Sequence, residues 1–124
     1  MTKRASAADA GYELDLSLTA NDIAWARRVV FEVPPRDHSL AHMRRMLGAL
    51  KVLVEVERPH SAFDARRVRD YLIAERTLAD GLTQVLPESR GGPNRVKAWT
   101  QCRHVAEVTA LFRAMHIARI RRGE

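Results

Sequence analysis

Apolar residues recur three and four positions apart through most of the chain. Leu40, Met43, Leu47, Leu50 and Val54 make one such stripe, with Arg44, Lys51, Glu55 and Arg58 on its far face. That pattern predicts an amphipathic helix after the Pro34–Pro35 turn, capped by Asp37 or Ser39. Val52, Val54 and Val56 also alternate with polar neighbours, so a strand over 51–57 competes with the end of this helix. Upstream, Thr19 and Asp22 resemble a capping pair, and Ile23, Ala26, Val29, Val30 and Val33 carry a first helix as far as Pro34. Its β-branched end, residues 29–33, also suits a strand. Before it, residues 12–18 (YELDLSL) alternate strictly and predict an extended arm, preceded by a small, polar tail over residues 1–11.

Downstream of Pro59, Ser61 and Asp64 form a second capping pair and open a helix that runs to about Gly81 or Leu86. Val68, Tyr71, Leu72, Leu78, Leu82 and Val85 are its expected buried stripe, with Arg66–Asp70 and Arg76–Asp80 as exposed pairs four apart. Residues 87–93 (PESRGGP) form the strongest loop in the chain, after which Asn94 caps a last helix from Arg95 to about Arg121. The chain therefore reads as mainly α. It is a bundle of about four amphipathic helices in one domain over 19–124, preceded by a flexible tail and extended arm over 1–18. The alternative is an α+β fold with short strands at 12–18 and 51–57.

On the last helix, Val105, Val108, Leu111, Phe112 and Met115 gather on one side as the expected core seam. Arg95, Trp99, Arg103, Ala106, Ala110, Arg113 and Ile117 line the other, an indole and small alanines interleaved with guanidinium groups. Charge sharpens this picture. The 124 residues carry a net charge of +6, yet the first 88 sum to zero and residues 89–124 hold the whole excess. Helix-end compensation of the macrodipole accounts for Arg119, Arg121 and Arg122 but not for the five basic residues upstream. The basic tail third is the expected polyanion surface, with Arg90, Arg95, Lys97, Trp99, Arg103, Arg113, Arg119, Arg121 and Arg122 as its candidate nucleic-acid-binding residues. Trp99 is the candidate for base stacking and Arg90, beside Gly91–Gly92, for following a strand's phosphates.

Catalytic chemistry is not visible. Arg90–Gly91–Gly92 lacks the lysine and hydroxyl residue that follow the glycines of a phosphate-binding loop. His38 and His42 have the four-residue spacing of a zinc pair but no glutamate between them and no third ligand at a supporting spacing. Cys102 and His104, two apart, lie on different faces of a helix, and the pairs Glu13/Asp15 and Glu55/Glu57 lack a pocket partner. No catalytic residue, metal or cofactor is expected. One cysteine makes no internal disulfide, and no apolar run reaches signal-peptide or membrane-spanning length, so a cytoplasmic setting without membrane contact is expected.

In overall format, several amphipathic helices from about Asn21 to Arg122 ending in the arginine-rich run Arg113–Arg122, the chain loosely resembles the small-subunit family of CRISPR effector complexes. No residue motif carries the resemblance. It implies a non-catalytic subunit of a ribonucleoprotein that contacts guide and target strands and packs against other subunits and its own copies. The expected function is accordingly nucleic-acid binding, with single strands or heteroduplex favoured. Two alternatives stand beside it. One is a phage- or plasmid-type DNA-binding regulator, although residues 64–86 show no short turn between two helices as a helix-turn-helix requires. The other is a helical interaction module or inhibitor that meets a protein through the Ile117 and Ile120 face.

Overall fold

The computed structural model describes residues 14–59, 64–85 and 94–123, with side chains in residues 82–85 excepted. Four helices follow one another: α1 (Leu16–Ala26), α2 (Arg36–Val56), α3 (Ala65–Val85) and α4 (Arg95–Arg121). No strand occurs among the described residues, and the chain is a mainly α bundle.

The 51–57 strand alternative is wrong: α2 runs unbroken through Val56. The extended arm is also corrected. Leu14 and Asp15 are non-helical, but Leu16–Leu18 already form the first turn of α1, and Tyr12 and Glu13 lie outside the described residues. The cap overrides the alternation. The Asp15 carboxylate accepts from the Leu18 amide at 2.9 Å, and Thr19, expected as the cap, sits inside the helix and donates its hydroxyl to the Asp15 carbonyl. At its other end α1 stops at Ala26 rather than Val33, and the β-branched residues 29, 30 and 33 belong to a loop that is neither helix nor strand.

The core forms mainly where α2 meets α4, the most extensive helix pair in the molecule. Met43, Leu47, Leu50 and Val54 of the predicted α2 stripe are buried at 1% exposure or less, joined by Met46, Leu53 and, from α4, Cys102, Val105 and Phe112. Asn94 caps α4 as expected, accepting from the Lys97 amide at 2.8 Å, and Asp64 does the same for α3 through the Arg67 amide. The α3 stripe holds in part, with Leu78 buried and Tyr71 packed against the core as expected. Ala74, Thr77 and Leu78 are buried while Leu72, expected in the core, is 60% exposed. Leu111, expected in the α4 seam, is likewise exposed. Gly81 sets the approach of α3 to α2, since a Cβ there would meet the Leu47 side chain at 2.8 Å.

Candidate nucleic-acid interface

The face of α4 opposite its core seam is largely covered. Helix α1 packs across it, with Ala106 fully buried and Ala110 half-buried. Small residues let a backbone approach closely, and here the approaching backbone is that of α1 rather than a phosphate chain. Trp99 is 6% exposed and meets Trp25 edge-on at 5.3 Å between ring centroids, so it is a packing residue and not a stacking platform. Arg103 lies over the indole at 5.5 Å. Arg113 donates to the Leu16 carbonyl at 3.1 Å, tying α4 to the start of α1. Arg95 donates to the carbonyls of Val33 (2.6 Å) and Pro34 (3.1 Å) and thereby fastens the α1–α2 loop. Lys97 and Arg121 are exposed, as is Arg122, and Arg90 lies outside the described residues. The nine candidate residues therefore do not form one continuous surface.

Two buried carboxylates organise much of the arginine instead: Asp22, expected as half of a capping pair, and Glu57, expected to lack a partner. Asp22, 3% exposed, accepts from Nε and Nη2 of Arg45 at 2.9–3.2 Å and lies 2.7 Å from Nδ1 of His42. His42 in turn stacks on Trp25, its ring centroid 3.8 Å away. Glu57, 2% exposed, accepts from Nε of Arg119 at 2.8 Å, meets Nδ1 of His116 at 2.9 Å and has Arg67 at 3.7 Å. Both clusters use histidine followed three residues later by arginine on one helix, so that imidazole and guanidinium converge on a single acid. The available signal was an acid next to apolar core positions, Ile23 in one case and Val54 in the other, together with that repeated spacing. Burial alone would push the Glu57 carboxyl up. Hydrogen bonds from His116 and Arg119 more than reverse this and hold it below the ordinary carboxylate range.

Glu57 follows the last turn of α2, Arg67 lies on the first turn of α3, and His116 and Arg119 lie near the end of α4. The cluster thus draws three helix ends together. Around it stand Arg58, whose guanidinium lies 5.8 Å from the Tyr71 ring centroid, Arg66 and Arg69 on the solvent side of α3, and Arg121 and Arg122 at the end of α4. Among the described residues, seven arginines share this end of the bundle with four carboxylates, Glu55, Glu57, Asp64 and Asp70. The acids are largely committed: Glu57 to the buried cluster, Asp64 to its cap, and Glu55 to Arg58 at 3.3 Å. Arg66, Arg69 and Arg121 are left facing outward.

The described residues contain no group of three metal-ligating side chains. His38 is exposed while His42 is engaged with Asp22 and Trp25, so the four-residue pair does not converge. Burial, aided by the charge of Asp22, pushes the Cys102 thiol up to about 12, which removes the thiolate a nucleophile needs. No described helix is long and apolar enough to cross a membrane. Comparison with protein-family models, curated proteins and solved structures gives no match.

Proposed function

We propose that this protein is a non-catalytic nucleic-acid-binding subunit that contacts phosphates through the end of the bundle built around Glu57. The observation that carries the reading is that Arg67 of α3 and Arg119 of α4 converge on the buried acid at the end of α2, with Arg66, Arg69 and Arg121 exposed nearby. Arginine forks two hydrogen bonds onto a phosphate, and a rigid scaffold holds the forks at low entropic cost. The surface differs from the α4 face expected from sequence. It keeps Arg121 of the nine candidates and adds two arginines from α3, a helix whose formal charge gave no hint of excess. An interface without an aromatic platform tracks a backbone rather than bases, which favours binding with little sequence preference. In this reading the partner is single-stranded nucleic acid or heteroduplex within a larger cytoplasmic ribonucleoprotein, the setting that the resemblance to CRISPR small subunits suggests.

The test is a titration of the purified protein with single-stranded RNA, single-stranded DNA and duplex DNA across salt concentrations. Single-strand affinity is expected to fall with salt, by about 0.7 log units per log salt for each phosphate contact. The triple substitution of Arg66, Arg69 and Arg121 by Ala is expected to lower both affinity and slope, whereas Arg103→Ala changes them little. Wild-type affinity in the triple variant, with its helical circular dichroism intact, overturns the assignment.

A further inference from the structure

At the end of the bundle away from Glu57, the α1–α2 loop borders a pocket of about 480 Å³, closed on its other sides by the end of α1 and the starts of α2 and α4. That volume lies in the ordinary range of small-ligand sites. Its lining includes two arginines, Arg28 and Arg95, one acid, Glu32, and two aromatic side chains, Trp25 and Phe31. Trp25 is occupied within the fold, with His42 stacked on its ring and Trp99 against it edge-on. Phe31 is 109% exposed, so its ring offers open aromatic faces.

The two arginines differ from those around Asp22 and Glu57 in what holds them. Nε of Arg95 donates to the carbonyls of Val33 and Pro34, and Nε of Arg28 donates to the Trp25 carbonyl at 3.2 Å. Each guanidinium is thus anchored through one nitrogen. Among the described residues neither pairs with a carboxylate, and their Nη groups have no acceptor. A fork already fixed at Nε has less freedom left to lose when an anion arrives. Two such forks in one pocket match the charge and oxygens of a terminal phosphate. A bare phosphate leaves Glu32 and Phe31 without a role. An acid beside a phosphate site accepts from a sugar hydroxyl in dinucleotide recognition, and an open aromatic ring receives a base. The amides of Val29–Val33, which donate no hydrogen bond among the described residues, add donors for the edge of that base.

We propose that this pocket binds a ribonucleoside monophosphate, with the phosphate on Arg28 and Arg95, a ribose hydroxyl on Glu32 and the base against Phe31. A free nucleotide and the phosphorylated end of an RNA strand present the same group. The site uses none of Arg66, Arg69 and Arg121 and stands a whole length of α2, about 30 Å, from the Glu57 cluster. It is therefore independent of the surface proposed above.

The experiment is titration calorimetry on wild type and on the triple variant of Arg66, Arg69 and Arg121 to Ala. The probes are adenosine monophosphate, its deoxy form, adenosine, inorganic phosphate, and a short RNA with and without a terminal phosphate. The nucleotide is expected to bind both proteins equally, and about tenfold or more tighter than adenosine or inorganic phosphate. Phe31→Ser, at a fully exposed site, is expected to keep its helical circular dichroism and to weaken nucleotide binding about tenfold. Arg28→Gln is expected to weaken it by at least as much, and Glu32→Gln to remove the preference for ribose over deoxyribose. Tighter binding of the phosphorylated RNA by the triple variant identifies a strand end as the source, and binding of the free nucleotide alone identifies the nucleotide itself. Inorganic phosphate bound as tightly as the nucleotide, wild-type affinity in Phe31→Ser or Arg28→Gln, or no binding of either phosphorylated probe by the triple variant overturns the proposal.

Discussion

Asp22 and Glu57 are the same device used on two scales. Each is a buried acid held by a histidine and by an arginine three residues farther along one helix. Asp22 joins α1 to the neighbouring α2, across about twenty residues of chain, and its arginine is 45% exposed. Glu57 joins the ends of α2, α3 and α4, across about sixty residues, and its partners Arg119 and His116 are 27% and 13% exposed. A partner with more access to water is rehydrated more readily when its acid is lost. The difference teaches that local charge pairing fastens a seam, whereas the long-range cluster decides whether three helix ends share a surface at all.

The largest expected effect follows from that. Glu57→Gln leaves His116, Arg119 and Arg67 around a neutral group and should cost about 3–5 kcal/mol in chemical denaturation, the range for one half of a buried ion pair. Asp22→Asn should cost about 1.5–3 kcal/mol, because Arg45 turns to solvent. Equal losses in the two variants would erase the distinction between seam and hub. Next comes Gly81→Ala. Removing a mid-helix glycine ordinarily stabilises, but the added methyl meets buried Leu47, and a loss of about 1–3 kcal/mol is expected. A third acid, Glu107, bridges to Arg27 at 2.8 Å with both side chains more than half exposed. Arg27→Ala should therefore change stability by only about 0–1 kcal/mol, and less in high salt. Leu72→Ala, at an exposed position, should stay within about 0.5 kcal/mol.

Acid titration sharpens the contrast further. The Glu57 carboxyl is lower in the folded protein than in the unfolded chain, where about 4.3 is ordinary. Its contribution to stability is therefore complete above that unfolded value and is lost as the pH falls through the folded one. Wild type should lose stability over this acid range, and Glu57→Gln should lack that component. Parallel stability curves for the two proteins would show that Glu57 is not the acid at issue.

The extent of what was legible follows the same division between local and long-range. The α2 stripe, the Asn94 cap and the span of α4 depend on residues within a few turns of one another, and the sequence pattern places all three. Residues 14–18 misled because alternation and capping gave opposite answers and the single carboxylate of Asp15 decided between them. Leu72 misled because the α3 stripe is set by where Ala74 and Gly81 allow close approach to α2. The second face of α4 was beyond reach for a related reason: a helix with neighbours on two sides keeps free only the strip between them, here Arg103, Glu107, Leu111, Ala114 and Ala118, and periodicity within one helix does not count its neighbours. Glu57 looked like one acid in an alternating run until the fold brought Arg67, His116 and Arg119 to it.

Both indole side chains, Trp25 and Trp99, lie in the half of the bundle that Asp22 holds, one of them stacked flat on His42. Ultraviolet emission is therefore a one-sided witness. Loosening of the three helix ends at Glu57 would pass unseen in a fluorescence melt and register only in backbone ellipticity. Midpoints that differ between these two signals would reveal that the halves come apart in sequence.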